Sequence, residues 1–201
     1  MTASLTLSAP FNISLVGVGG QGILLTSNIL AHAAMNAGHD VKKSEVHGMS
    51  QRGGTVMSQV RFGQKVHSPI IPDGASDILI AFERLEALRW AHLVRPGGRI
   101  LVNNMDRVPI TVSSGLQPPA ADMDARLAAY PGLVLLEANA LAEQAGTIRT
   151  ANVVLVGALS TLIPFEPDHW QNAMRECIRE AYLEVNQRAF ELGRAAMMSK
   201  P

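Results

Sequence analysis

The sequence predicts an α/β fold with a mostly parallel sheet, and three features of the chain lead to this prediction. An apolar run from Asn12 to Val18 is followed by a glycine turn and then by helical spacing, the order that opens such sheets. Short apolar runs then alternate with amphipathic segments along the middle of the chain. After Asp168 the pattern is helical, with no Gly or Pro before Gly193.

The first half of the chain reads as a Rossmann-like opening, strand then helix then strand. The helix is expected over Ile23 to Ala37, ended by Gly38, and a second strand in "HDVKKSEV". The segment "TVMSQVRFG" alternates between its two faces, which is typical of a strand with one exposed face and indicates an edge position. Further on we expect a strand in "DILIAF", a helix in "ERLEALRWAHLV" and a strand in "RILVNN".

The second half begins with a loop and becomes mainly helical. Met105 to Ala121 contains three prolines and is expected to be irregular. A short helix in "DMDARLAAY", a strand in "LVLLEA" and a helix in "LAEQAG" follow. The segment "TANVVLVGALSTLI" is β-branched enough for a strand, but its Ala, Gly and Leu content and the terminating Pro164 favour a buried helix. Asp168 is the expected cap of the C-terminal helical segment.

Composition excludes several classes of function. The chain has 201 residues, of which 47% are hydrophobic, and carries 17 basic and 17 acidic side chains. This balance argues against general attraction to nucleic acid or to an anionic membrane. A single cysteine, Cys177, cannot build an iron–sulfur cluster, a structural zinc site or an internal disulfide, and we expect it to be a buried helix residue. With no apolar run of about 18 residues and no signal-peptide pattern, the expected location is the cytoplasm.

The glycine turn carries the first candidate site. It contains G-x-G-x-x-G, and its candidate residues are Gly17, Gly19, Gly20, Gln21 and Gly22. Backbone N–H groups in such a turn and the positive end of the following helix favour a diphosphate. The same glycines would also serve a tight turn that only lets helix and strand pack closely.

A dinucleotide-binding turn needs an acidic residue about 20 positions later to hold a ribose. That window centres on Lys42 and Lys43. Lysines suit a phosphate better than a ribose, which argues against NAD and leaves NADP, coenzyme A or two solvated lysines open.

A second candidate site is the polar loop "HGMSQRGG" and the residues just before it. Its hydrogen-bonding groups and glycines are Ser44, Glu45, His47, Gln51, Arg52, Gly53 and Gly54. Paired glycines let a backbone approach a partner closely, although a loop this polar is also compatible with simple solvation. No catalytic residue and no metal-ligating set is predicted.

Four segments together resemble the beta subunit of indolepyruvate:ferredoxin oxidoreductase and the equivalent gamma subunit or domain of 2-oxoacid:ferredoxin oxidoreductases. The resemblance covers roughly Asn12 to Arg194, and the loop at His47 is more specific than the glycine turn. Arg84 and Trp90 depart from the pattern and are expected to affect a partner contact. The segments are "GVGGQGILLTSNILAHAAMNAG", "SEVHGMSQRGGTVMSQVRFG", "DILIAFERLEALRWAHLVRPGGRILVN" and "EVNQRAFELGR".

The resemblance implies a three-layer α/β/α domain over residues 12–201, preceded by an extension at 1–11. It implies CoA-dependent oxidative decarboxylation of aryl pyruvates or other 2-oxoacids to acyl-CoA, with electrons passed to ferredoxin. The resemblance implies that thiamine diphosphate and iron–sulfur clusters lie in a large catalytic (alpha) subunit. The sequence agrees with this, since it has one cysteine and "VNN" at Asn103 lacks an upstream G-D-G. The glycine turn is expected to face coenzyme A or the catalytic subunit, and the second loop to dock on that subunit.

Two other hypotheses remain open at this point. The chain would be an autonomous NADP-dependent oxidoreductase if the glycine turn and the two lysines act together. It would be a simple nucleotide- or CoA-binding module if it has no enzyme partner. A subunit isolated from its partner would expose apolar surface and is a candidate for self-association as a homodimer.

Overall fold

The computed structural model describes residues 9–47, 54–108, 110–116, 118 and 120–200. Strands and helices alternate along most of the chain, as the sequence pattern predicts. The strands are β1 (Phe11–Val18), β2 (Asp40–His47), β3 (Thr55–Gly63), β4 (Ser76–Ala81), β5 (Val94–Asn103) and β6 (Leu133–Leu136). The helices are α1 (Ile23–Asn36), α2 (Arg84–Trp90), α3 (Ile110–Ser113), α4 (Met123–Ala128), α5 (Ala138–Ala145), α6 (Ala151–Ser160), α7 (Pro167–Cys177) and α8 (Glu180–Met198).

The six strands form one sheet in the order β2-β3-β1-β4-β5-β6. Pairs β1–β4, β4–β5 and β5–β6 are parallel, whereas β3 runs antiparallel to both of its neighbours. The predicted mostly parallel sheet is therefore confirmed. The opening β1-α1-β2 unit differs from the Rossmann pattern, because β3 lies between its two strands.

The prediction that β3 is an edge strand was wrong, because β3 pairs with β1 on one side and with β2 on the other. Its polar face is covered by the following segment of chain, which conceals the side chains that looked solvent-facing. Gln59 donates to the carbonyl of Ile71 at 3.4 Å and accepts from its N–H at 3.1 Å. Arg61 donates to the carbonyls of Ser68 and Ile70. The alternation along β3 correctly indicated that its two faces differ. The face that we expected to contact water is instead covered by residues 68–71.

Helices cover both faces of the sheet, which confirms the three-layer arrangement. One face packs on α1 and α6, with α5, α7 and α8 completing the layer around the larger apolar cluster. The opposite face packs on α2 and α4 over β1, β4 and β5. Helix α6 is buried from Asn152 to Ser160, which confirms the helical interpretation of "TANVVLVGALSTLI".

The C-terminal segment forms two helices, because Ile178 and Arg179 adopt extended backbone between α7 and α8. Glu166 is the N-cap of α7 and Pro167 its first residue, so Asp168 lies inside the first turn and the predicted cap was wrong. The region expected to be only loop contains the short α3. Among the described residues, no helix is long and apolar enough to cross a membrane.

Candidate functional site

The glycine turn is closed by its own glutamine side chain. Gln21 Oε1 accepts from the N–H of Val18 at 2.7 Å, and the N–H of Gln21 donates to the carbonyl of Val18 at 3.2 Å. Gly20 and Gly22 have positive φ values of 98° and 84°, and α1 begins at the next residue. The turn is thus a fixed loop at the positive end of a 14-residue helix.

Two of the glycines allow close approach by other parts of the molecule. A Cβ on Gly22 would lie 2.8 Å from Cγ of Asn152, at the start of α6. A Cβ on Gly17 would lie 2.6 Å from Oε1 of Gln21 and 2.8 Å from Cβ of Phe82. These contacts mean that the turn does serve tight packing at Gly17 and Gly22, whereas its outer side is open at Gly20, where a Cβ would meet no atom within 4 Å.

A cavity of about 500 Å³ lies on that outer side, beyond the carboxyl ends of β4 and β5. The crevice beyond the carboxyl ends of the strands is where open α/β sheets bind ligands. The wall combines glycines of the turn with four carboxamide side chains and two cations. These residues are Gly20, Gln21, Gly22, Asn103, Asn139, Asn152, Arg107 and Arg149.

Three of the carboxamides have buried atoms without a hydrogen-bond partner among the described residues. They are Nε2 of Gln21, Oδ1 of Asn103 and Nδ2 of Asn152. Asn103 and Asn152 are only 3% and 5% exposed, so bulk water does not supply the missing hydrogen-bond partners of their unpaired atoms. Unpaired buried polar atoms are uncommon and costly, and here they lie in the wall of one cavity.

A buried pair of carboxyl groups, Glu83 and Glu86, lies behind this wall. Glu83 Oε2 accepts from the backbone N–H of Arg107 at 3.1 Å. Glu86 accepts from Trp90 Nε1 at 3.0 Å and from Arg89, which also donates to the hydroxyl of Thr55. Since Thr55 begins β3, the pair connects the cavity wall with the base of the second loop.

Burial raises the pKa of Glu83 to about 7, and the nearby charge of Glu86 adds to the shift. Burial also raises the pKa of Glu86, against the opposing charge of Arg89. Sequence analysis did not single out this pair. The sequence does contain a signal for this pair: "FERLEA" places two glutamates three positions apart at the start of a helix.

Lys42 and Lys43 lie apart from the cavity wall. Lys42 pairs with Asp40 at 3.2 Å. Lys43 pairs with Glu45 at 2.6 Å and donates to Asn28 of α1. The two lysines are therefore held by side chains of β2 and α1.

The second loop lies partly outside the described residues, including Gln51, Arg52 and Gly53. Ser44 and Glu45 belong to β2, and His47 is its last residue. At the other end, the carbonyl of Gly54 accepts from the N–H of Gly19 at 3.0 Å. Both ends of the loop thus meet the sheet at the edge that carries the glycine turn.

The residues that depart from the family pattern have internal partners. Arg84 forms ion pairs with Asp106 at 3.3 Å and with Asp124, and Trp90 donates to Glu86. Cys177 is the last residue of α7 and is partly buried, and burial raises the pKa of its thiol to about 11. In the described part of the chain, no group of His, Cys, Asp and Glu is arranged to hold a metal ion.

Comparison with known proteins gives a family and a set of relatives. The profile of the family described as pyruvate ferredoxin/flavodoxin oxidoreductase matches residues 12–196. The indolepyruvate oxidoreductase subunit IorB of Thermococcus kodakarensis is 41% identical over 189 residues, which cover 91% of this chain and 94% of that protein.

Two solved structures share the fold. The gamma subunit of a keto/oxoacid ferredoxin oxidoreductase from Geobacter sulfurreducens has a TM-score of 0.71 at 23% identity, covering 94% of this chain and 99% of that one. The 2-oxoglutarate:ferredoxin oxidoreductase of Magnetococcus marinus, solved with 2-oxoglutarate, coenzyme A and succinyl-CoA bound, has a TM-score of 0.75 at 20% identity. That alignment covers 97% of this chain and 32% of the other chain.

Proposed function

Because the chain belongs to the pyruvate ferredoxin/flavodoxin oxidoreductase family, we propose that it is the accessory subunit of a 2-oxoacid:ferredoxin oxidoreductase of the indolepyruvate type. The complex would convert an aryl pyruvate or a related 2-oxoacid to its acyl-CoA and pass the electrons to ferredoxin. Residues 12–201 form one gamma-type domain in this proposal, after an extension at 1–11. The expected location is the cytoplasm.

The large catalytic subunit carries thiamine diphosphate and iron–sulfur clusters in this proposal. Those groups, when bound there, supply decarboxylation and electron transfer. This chain contributes a binding surface and no catalytic residue. The isolated chain is expected to be inactive, and it is a candidate for a homodimer because a subunit without its partner would expose apolar surface.

The observation that carries the proposal at the level of the site is the cavity beside the glycine turn. Arg107 and Arg149 supply positive charge, and the turn at Gly20 to Gly22 adds backbone groups at the positive end of α1. This chemistry suits the phosphates of coenzyme A, a molecule bound in the structure of the Magnetococcus relative. We therefore propose Gly17, Gly19, Gly20, Gln21 and Gly22 as the turn that faces coenzyme A.

The second loop is proposed to dock on the catalytic subunit beside this cavity. Its support is the Gly19–Gly54 hydrogen bond, which fixes one end of the loop to the glycine turn. The described end of the loop, at Gly54, therefore lies beside the turn that borders the cavity. Ser44, Glu45, His47, Gln51, Arg52, Gly53 and Gly54 are its proposed functional residues.

Co-expression tests the proposal. The chain and its large partner should together reduce ferredoxin in a reaction that requires both a 2-oxoacid and coenzyme A. Each subunit alone should give no such reduction under the same conditions. Full activity from the purified chain alone would contradict the accessory role.

An NADP-dependent oxidoreductase is the alternative that the glycine turn keeps open. Lys42 and Lys43 would have to leave their partners Asp40 and Glu45 to bind the nucleotide phosphate. A fluorescence titration of the chain with NADPH distinguishes the two functions. Binding in the micromolar range would favour the alternative, and no binding up to millimolar NADPH would eliminate it.

A further inference from the structure

The cavity wall contains a donor and an acceptor whose polarity is fixed by their own hydrogen bonds. Oε1 of Gln21 accepts from a backbone N–H, and since only the oxygen can accept, the unpaired atom of Gln21 is a donor. Nδ2 of Asn103 donates to Oδ1 of Asn139 at 3.1 Å and to the carbonyl of Phe82 at 3.5 Å. The unpaired atom of Asn103 is therefore an acceptor.

Asn139 keeps Asn103 in this orientation. Its own Nδ2 contacts Sδ of Met105 at 3.6 Å, so its oxygen is left to accept from Asn103. Asn152 adds a second unpaired nitrogen to the same wall. The wall thus holds one donor, on Gln21, and one acceptor, on Asn103, whose orientations are fixed by their own hydrogen bonds before any ligand arrives.

We infer that this cavity recognises neutral hydrogen-bonding groups of the phosphorylated co-substrate, with Nε2 of Gln21 donating to an acceptor atom and Oδ1 of Asn103 accepting from an N–H. A neutral partner is indicated because carboxamides, unlike arginines, satisfy neutral donors and acceptors without leaving a buried charge. Arg107 and Arg149, in the same wall, would meet the anionic part of the molecule.

The inference deepens the proposed function and depends on it. Coenzyme A carries the required chemistry in two places, the secondary amides of its pantetheine arm and the amino edge of its adenine. Either source would pair with an acceptor at Asn103 and a donor at Gln21. The two sources are separable because 3′-phosphoadenosine 5′-phosphate has the adenine and two of the three phosphates of coenzyme A but lacks the amides.

The test uses the complex assembled with its catalytic partner. Asn103→Leu removes the acceptor, and Gln21→Glu keeps the oxygen that closes the turn while replacing the free donor. Each variant should raise the KM for coenzyme A by about threefold to tenfold, the usual effect of one lost neutral hydrogen bond, with little change in kcat. Asn104→Leu is the matched control, since Asn104 donates to Glu137 and does not line the cavity.

Inhibition by 3′-phosphoadenosine 5′-phosphate then assigns the source. An unchanged inhibition constant in Asn103→Leu places the group on the pantetheine arm, and a raised constant places it on the adenine. If the KM for coenzyme A stays at the wild-type value in both Gln21→Glu and Asn103→Leu, the inference is wrong. If the wild-type complex has no CoA-dependent activity, the proposed function itself is wrong. If Asn103→Leu does not fold, the KM of Gln21→Glu still tests the inference.

Discussion

The contact between Gly22 and Asn152 makes a prediction that a pair of matched glycines can test. Gly22 and Gly38 flank α1 and have nearly the same φ, 84° and 86°. They differ in their surroundings. A Cβ on Gly22 would lie 2.8 Å from Cγ of Asn152, whereas a Cβ on Gly38 would meet no atom within 4 Å.

The magnitude follows from one cost that both positions share and one that only Gly22 has. Alanine in the left-handed region costs about 1–2 kcal/mol at either position. Gly22→Ala must also displace a buried side chain, and such overpacking adds about 1–3 kcal/mol. We expect Gly38→Ala to lose about 1–2 kcal/mol of unfolding free energy and Gly22→Ala about 2–5 kcal/mol.

Urea unfolding followed by circular dichroism measures both variants on the same chain. Adding Asn152→Ala to Gly22→Ala should recover part of the loss, because the smaller side chain relieves the contact; the coupling free energy comes from the full double-mutant cycle. Equal unfolding free energies for Gly22→Ala and Gly38→Ala would refute the close approach of α6 to the glycine turn.

Three further predictions concern other parts of the molecule. The raised pKa of Glu83 means that the folded protein holds a proton the unfolded chain releases, so the unfolding free energy should fall by up to about 3 kcal/mol between pH 4.5 and about 7. Glu83→Gln should flatten that fall in pH-dependent urea titrations, and a wild-type pH profile in the variant would contradict the assignment. Arg52→Ala should weaken complex assembly or raise the KM for coenzyme A by about tenfold, as arginines central to an interface do; unchanged assembly and kinetics would remove this loop from the site. Cys177, with a pKa near 11, should react with iodoacetamide at pH 8 about a hundredfold more slowly than a free cysteine, by mass spectrometry, and equal rates would contradict its burial.

Much of the fold was predictable because hydrophobic periodicity follows burial. The apolar runs became the central strands, and the fully apolar segment that ends at Pro164 became a buried helix. The position of β3 was not predictable, because alternation along one strand does not show which strands pair with it, and β3 pairs with both β1 and β2. The prediction that Asp168 caps α7 was wrong because the helix begins one residue earlier, at Pro167, with Glu166 as its N-cap.

The candidate site was predictable only in part. Glycine spacing identified the turn, since positive φ and close approach both select glycine. The carboxamides Asn103, Asn139 and Asn152 come from three different elements, and no spacing rule connects them. In the sequence, Asn103 stands out only as part of "VNN", a fragment of a possible thiamine-diphosphate motif. Its oxygen is an unpaired acceptor because its nitrogen donates to Phe82 and Asn139, and these contacts exist only in the folded chain.

Co-purification from the native cell tests the central claim most directly. The chain should be recovered with a large partner, and the purified complex should contain iron and thiamine diphosphate in amounts that follow the partner. The same complex should reduce ferredoxin when supplied with a 2-oxoacid and coenzyme A. Recovery of the chain without a partner, iron or thiamine would contradict the claim that it is an accessory subunit.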